Sequence, residues 1–277
     1  MSELTGRINS LLNSYGVKSA VPVRLSDCRI IRADKLTRLG LSPERELYAY
    51  IFYVPYLTPH KERNISAYAV PRDYHLFFSQ MLREVTEVLS LEYPDCIFAG
   101  FSDNSPIDER HAAAVAGLGI LGKNNLLITK KHSSYVFIGE IITDCPVTDT
   151  ECHDILFCED CGRCTAACPK GDGICLSELT QKKGELTQEE TDMIAKCGCA
   201  WGCDVCQEAC PHTKKAIDSG SIYTDIDFFL RDNTPLLSRE LIESMSDKDF
   251  GVRAYFWRKR STILRNLKII EEANGDN

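Results

Sequence analysis

Residues 158–169 read CEDCGRCTAACP, four cysteines at spacings of two, two and three with a proline after the last. A second group, CDVCQEACP at 203–211, repeats the later part of that pattern. Thiolates at the C-x2-C-x2-C-x3-C-P spacing suit two neighbouring 4Fe–4S clusters. Three of them on a tight loop cap three iron corners of one cluster, and the fourth, just ahead of a chain-turning proline, reaches the other. Zinc also takes C-x2-C pairs, but the x3-C-P ending is not a zinc pattern. By this pattern Cys158, Cys161, Cys164 and Cys210 hold one cluster. Cys168, Cys203 and Cys206 hold the second, with Cys175, Cys197 or Cys199 as its fourth ligand. Adjacent clusters pass electrons one at a time, so the rest of the chain must offer a second cofactor site or a docking surface.

The remainder of the composition agrees with a metal-binding protein of a reducing compartment. The chain has 277 residues and 14 cysteines, with an ordinary hydrophobic fraction of 44% and a charged fraction of 26%. Cytosolic thiols stay reduced, so dense cysteine clusters point to metal rather than to disulfides. The N-terminal residues have neither the apolar core nor the cleavage site of a signal peptide, and no apolar run is long enough to span a membrane. A cytoplasmic address is expected. The net charge of −8 argues against a protein that coats nucleic acid by broad charge attraction, though not against a local basic patch.

The elements that must position the chemistry are legible in part. Aromatic and β-branched YAYIFYVPYL (48–57) predicts a strand. FFSQMLREVTEVLSL (77–91) carries a helical apolar stripe. LLIT (126–129) and YVFIGEIIT (135–143) predict short strands joined by a turn at KKHSS. SPIDERHAAAVAGLG (105–119) predicts a helix capped by Ser105, with Pro106 in its first turn, Asp108 at a capping-box spacing, and Gly117 and Gly119 at its end. All the cysteines but Cys28 and Cys96 lie within 145–215, a stretch poor in apolar runs that something other than a core must hold together. Beyond about 221 two or three amphipathic helices are expected. The expected class is α+β, in three parts: an α/β cofactor and substrate domain at 1–145, a ferredoxin-like two-cluster domain at 146–215, and a helical segment at 216–277.

Several motifs in combination resemble the epoxyqueuosine reductase family. They are AYAVPRDYH (67–75), SDNSPIDERHAAAVAGLGILGKNNLLITKKHSSYVFIGEIITD (102–144), GCDVCQEACP (202–211) and RKRSTILRN (258–266), and they cover about residues 45–266. The resemblance implies reduction of epoxyqueuosine to queuosine in tRNA, with cobalamin bound in the α/β domain near one cluster. Electrons would pass from the clusters to the cobalamin, and an acid would protonate the departing oxygen. In the family that acid lies in the stretch matched by SDNSP, which implies Asp103, whose carboxyl would need burial to hold a proton. CLSELT (175–180) matches the family stretch bearing the fourth ligand of the second cluster, which favours Cys175. Arg72, Tyr74 and His75 would line the cobalamin or substrate pocket, with His75 packed or hydrogen-bonded rather than bound to cobalt. Lys123 and Asn124, in GLGILGKN, would donate to corrin amides or phosphate. By its residues alone, that glycine run is equally a helix end followed by a turn.

The resemblance also implies tRNA and a low-potential electron donor such as flavodoxin or ferredoxin as partners, no membrane, and a monomer. Arg253, Arg258, Lys259, Arg260 and Arg265 would offer a small basic patch to RNA phosphates. The family continues into a helical-repeat domain, so a short form or a paralogue acting on another reducible substrate is expected. A two-cluster electron carrier and a corrinoid-reactivating reductase are the competing functions. A pure carrier would need neither Asp103 nor the R-D-Y-H stretch.

Overall fold

The computed structural model describes residues 2–42, 45–60, 62–171 and 173–275. Its frame is a four-stranded antiparallel sheet in the order β1–β2–β6–β3, built from Val21–Arg24 (β1), Tyr48–Pro55 (β2), Phe98–Phe101 (β3) and Val136–Thr143 (β6). β2 is covered on both faces, which is why it reads as a nearly unbroken apolar run rather than an alternation. On one face Tyr50, Phe52 and Val54 pack with α1 (Glu3–Asn13) and α3 (Tyr74–Glu92). On the other, Ala49 and Ile51 pack with α4 (Glu109–Val115), after the short helix α2 (Ala33–Arg38). The expected α+β class holds.

Two local expectations are corrected. Leu127–Ile128 (β5) pairs with Ile120–Leu121 (β4) in a separate hairpin and not with the strand at 136–143, which pairs with β2 and β3. The KKHSS turn forms, but as a corner between two sheets. The helix predicted from 105 starts at Glu109, because Asp108 is the residue whose side chain accepts from the His111 amide. Ser105 instead accepts from the Ile107 amide in the preceding turn. The other predicted helix is longer than its stripe: Asp73 caps it, so that Tyr74 and His75 open its first turn.

The cysteine-rich segment carries α5 (Arg163–Ala167), α6 (Leu176–Leu179), α7 (Gln188–Cys197), α8 (Val205–Glu208) and α9 (Pro211–Asp218). Then come α10 (Asp227–Leu230), α11 (Arg239–Ser244), α12 (Asp247–Gly251) and α13 (Arg260–Gly275). The segment is not coreless. Leu176, Leu179, Ile194 and Trp201 join Tyr255, Ile263 and Leu267 in one buried cluster, with α13 packed on α7 and α11. Its apolar residues are scattered in sequence and gather only through the loops. Trp201 is fully buried, donates its Nε1–H to the Tyr68 hydroxyl at 2.8 Å, and meets the Tyr255 ring edge-on. Trp201→Ala should therefore destabilise the fold by about 3–5 kcal/mol, read from the denaturation midpoint. A loss below about 1 kcal/mol would mean that this cluster closes over the gap.

No helix among the described residues is long and apolar enough to cross a membrane.

Candidate active site

A cavity of about 910 Å³ opens between the sheet domain and the cysteine-rich loops. Tyr74, His75 and Asp103 line one side; Cys175, Cys203 and Cys206 line the other. Asn124 lines it too, and also faces a second, smaller recess formed by Cys158, Cys161, Cys164 and Cys210. Four of the cysteines expected to bind clusters thus line the smaller recess, and three line the cavity. The Cys206 thiol has Cys168, Cys175 and Cys164 as electrostatic neighbours, and Cys203 has Cys206 and Cys175. Packing of α5 on α8 brings Cys168 to this group.

The donor set fits iron–sulfur chemistry. Among the described residues, no three His, Cys, Asp or Glu side chains converge tightly enough for a single metal ion. Four thiols round one recess are a donor set of the kind that an iron–sulfur cluster takes. The Lys123 amide also donates to the Cys158 sulfur at 3.3 Å, a bond that stabilises a thiolate. Cys197 and Cys199 line a different recess, on the far side of Cys203. The Cys199 thiol donates to the carbonyls of Trp201 and Gly202, at 3.5 and 3.3 Å. The remaining thiols lie in neighbouring pairs, Cys96 with Cys145 and Cys28 with Cys152.

At the cavity wall, helix α3 and the β3–α4 turn bring three side chains together. The Asp103 carboxylate accepts from the Tyr74 hydroxyl and lies 3.2 Å from His75 Nε2. His75 Nδ1 lies 2.8 Å from Asp73, the residue that caps the helix. Contact with Asp103, then with Asp73, raises the imidazole to about 10, so it carries its proton at neutral pH. Burial pushes the Asp103 carboxyl up, but bonds from His75 and Tyr74 outweigh it and its acidity rises. The expectation that burial would keep a proton on Asp103 is thereby corrected: in this arrangement the proton sits on His75. Burial and then the Asp103 charge keep the Tyr74 phenol protonated.

Asp103 itself has a left-handed backbone, φ 64°, unusual for a residue other than glycine. Outside the cavity, Arg32 donates to the side chain of Asn104 and Lys35 to its carbonyl, gripping the same turn.

The other predicted pocket residues divide. Asn124 faces the cavity with both side-chain polar atoms buried and unbonded, as a partner from a bound group would require. Arg72 stands elsewhere, its guanidinium over the Phe228 ring at 5.4 Å. Lys123 pairs with Asp160 at 3.0 Å beside the smaller recess. The glycine run serves its own hairpin. A Cβ on Gly119 would come within 2.6 Å of the Ile128 carbonyl, and one on Gly122 within 2.3 Å of Asn124 Oδ1. Gly117 ends the helix at φ 70°.

Sequence reasoning missed Tyr56, Tyr68, Phe137, Ser134, Gln207 and Trp257, which also line the cavity. Aromatic faces edged with hydroxyl and amide groups suit a flat macrocycle with amide arms. Tyr68, Ser134, Phe137 and Gln207 lay within quoted motifs, but nothing in their spacing marked them.

The basic patch is also corrected. Arg253 is buried and donates to the Asp232 carbonyl. Arg260 is bound to the carbonyls of Ile242 and Met245 and to Asp247. Arg265 donates to the Lys182 and Gly184 carbonyls. These three tie loops to helix ends. Arg258, stacked at 3.8 Å on Trp257 of the cavity lining, and exposed Lys259 remain.

No family model matches the chain. It is similar to the epoxyqueuosine reductase of Gloeobacter violaceus, 31% identical over 233 residues, which are 78% of this chain and 71% of that protein. The epoxyqueuosine reductase of Lactococcus garvieae is 31% identical over 225 residues, 77% of this chain and 62% of that protein. The chain therefore spans less than two thirds of the second relative. In structure it is similar to epoxyqueuosine reductase from Streptococcus thermophilus, with a TM-score of 0.74 at 24% identity, covering 100% of this chain and 83% of that one. It is also similar to an epoxyqueuosine reductase crystallised with an epoxyqueuosine-modified tRNA-Tyr stem loop, with a TM-score of 0.75 at 22% identity, covering 97% and 80%. At those identities the structural likeness speaks for the fold.

Proposed function

Because the chain belongs to the epoxyqueuosine reductase family, we propose that it reduces epoxyqueuosine in tRNA to queuosine as a cobalamin-dependent iron–sulfur oxidoreductase. The observation that carries this proposal is one cavity shared by the Tyr74–Asp103–His75 group and by Cys175, Cys203 and Cys206. A proton-holding group and a cluster-binding face on the same space are what reductive removal of an oxygen needs, and a plain electron carrier needs only the second. The relative solved with a modified stem loop supports tRNA as the partner.

Cys158, Cys161, Cys164 and Cys210 would hold one 4Fe–4S cluster, and Cys168, Cys175, Cys203 and Cys206 the other. Asn124, Tyr74 and the aromatic lining would hold cobalamin. Bound there, these groups supply low-potential electrons from a donor such as flavodoxin or ferredoxin. Removing an epoxide oxygen as water consumes two electrons and two protons, so the protein must deliver a proton to that oxygen. His75 carries it and Asp103, within reach of the same proton, passes it on; Tyr74 holds the carboxylate in place. Asp73 fixes the far side of the imidazole. Arg258 and Lys259 would meet RNA phosphates.

The test is anaerobic. The protein is reconstituted with iron and sulfide, loaded with cobalamin, and given tRNA bearing epoxyqueuosine and a low-potential reductant. Nucleoside analysis should find queuosine. Normal iron with no cobalamin uptake and no queuosine would overturn the proposal in favour of a two-cluster carrier.

A further inference from the structure

Between two of the proposed cluster ligands, Cys203 and Cys206, stands a buried acid, Asp204. Four donors meet its carboxylate. Oδ1 accepts from the Ser66 hydroxyl at 2.6 Å and from the Gln207 side-chain amide at 2.9 Å. Oδ2 accepts from the Ala67 amide at 2.7 Å and from the Arg63 guanidinium at 3.1 Å. The Gln207 amide is itself oriented, because its oxygen accepts from the Ser134 hydroxyl at 2.9 Å. Two donors on each oxygen suit the ionised form of the acid. The side chains of Asp204 and Arg63 are only 4% and 15% exposed, and Arg63 is shared with exposed Glu208.

These contacts join the two walls of the cavity. Residues 63–67 follow β2 and lead into the helix that carries Tyr74 and His75. Their backbone is already stitched to the cysteine loop. The Ser66 amide donates to the Trp201 carbonyl and the Ala200 amide to the Asn64 carbonyl, both at 2.7 Å. Stitching alone does not call for a buried ion pair, since removing two charges from water costs much of what their attraction returns. The neighbours of the pair give the charge a use. The charge of Asp204 is felt at the Cys203 and Cys206 sulfurs, and that of Arg63 at Cys199 and Tyr135. The potential of an iron–sulfur cluster depends on the charge around it, on hydrogen bonds to its sulfurs and on solvent exposure. A fixed anion disfavours an added electron, and burial spares it from screening by salt.

Taking the cluster ligands proposed above as given, we propose that Asp204 holds down the reduction potential of the cluster on Cys168, Cys175, Cys203 and Cys206. Arg63 limits that effect, and together the two position the ligand loop on the cavity. A cluster that holds its electron less tightly passes it into the cavity more readily.

The test is an anaerobic redox titration of the full chain, reconstituted with iron and sulfide and followed by EPR without tRNA or cobalamin. The signal concerned is the one that Cys206→Ala removes. In Asp204→Asn the reduction equilibrium of that signal should favour the reduced form by about tenfold more, a rise of ~59 mV for one electron. Asparagine can keep the Ala67 and Arg63 donors on its oxygen and turn its amide to the Ser66 hydroxyl, so the loop should stay in place. In Arg63→Gln the midpoint should fall, because the anion is left unopposed. Arg63→Lys keeps the charge and should lie near the wild type. Opposite signs are the signature, since a loop that merely loosened would admit water and move both variants the same way. An unmoved midpoint in Asp204→Asn overturns the proposal, as do shifts of one sign in Asp204→Asn and Arg63→Gln. Should Asp204→Asn not fold, Arg63→Gln decides alone, and a midpoint at or above the wild type overturns the proposal. A wild type that takes up no cluster overturns this proposal and the functional one together. A loaded wild type with unmoved variants overturns this one only.

Discussion

Asp103→Asn should lower turnover by on the order of 10²- to 10⁴-fold, the range of a lost general acid–base group, while iron and cobalamin contents stay normal. Asparagine keeps the shape and tolerates the left-handed backbone that Asp103 occupies at φ 64°, so the turn should survive. What it loses is charge. Asp103 is the largest contributor to the raised His75 pKa, so the imidazole should titrate well below its wild-type value of about 10, with Asp73 still holding part of the shift. The sign of the pH effect on stability follows. A raised histidine pKa contributes stability that is fully present below the unfolded value of about 6.5 and is lost as pH rises through about 10. Asp103, whose pKa is lowered, contributes stability present above about 4 and lost as pH falls below it. The variant should show a flatter stability profile on the alkaline side. Undiminished turnover, or a His75 midpoint unmoved by the substitution, would remove Asp103 from the proton-donating group.

Cys175→Ala should take iron from about eight atoms per chain to about four. Cys175 opens α6 on the cavity wall beside Cys203 and Cys206, whereas Cys199 is turned to the Trp201 and Gly202 carbonyls. Cys199→Ala should therefore leave the iron content alone. Because Leu176 and Leu179 follow Cys175 into the second buried cluster, loss of the ligand should also lower the melting temperature of the reconstituted protein. Iron unchanged in Cys175→Ala would hand the ligand role to Cys197 or Cys199.

The proposed cluster ligands were readable because their signal is local. Three thiols within seven residues must share a loop, whatever the rest of the chain does, and 158–164 needs no tertiary information. The strand at 48–55 and the helix at 74–92 were legible for a similar reason, since an apolar run or stripe records burial directly. Partner choice was not. Leu127–Ile128 reads as a strand, but which strand it joins depends on the whole sheet. The late arginines show the same limit: in sequence Arg253, Arg260 and Arg265 are neighbouring charges, and only the loops packed beside them turn them to backbone carbonyls. Glu140 is a lone acid inside FIGEIIT, and only the packing of α4 on β6 brings Glu109 near it. The sequence by itself determined which atoms could hold metal. Tertiary structure decided where a proton sits, because a pKa depends on burial and on charges brought together from distant parts of the chain, as His75 and Asp103 are.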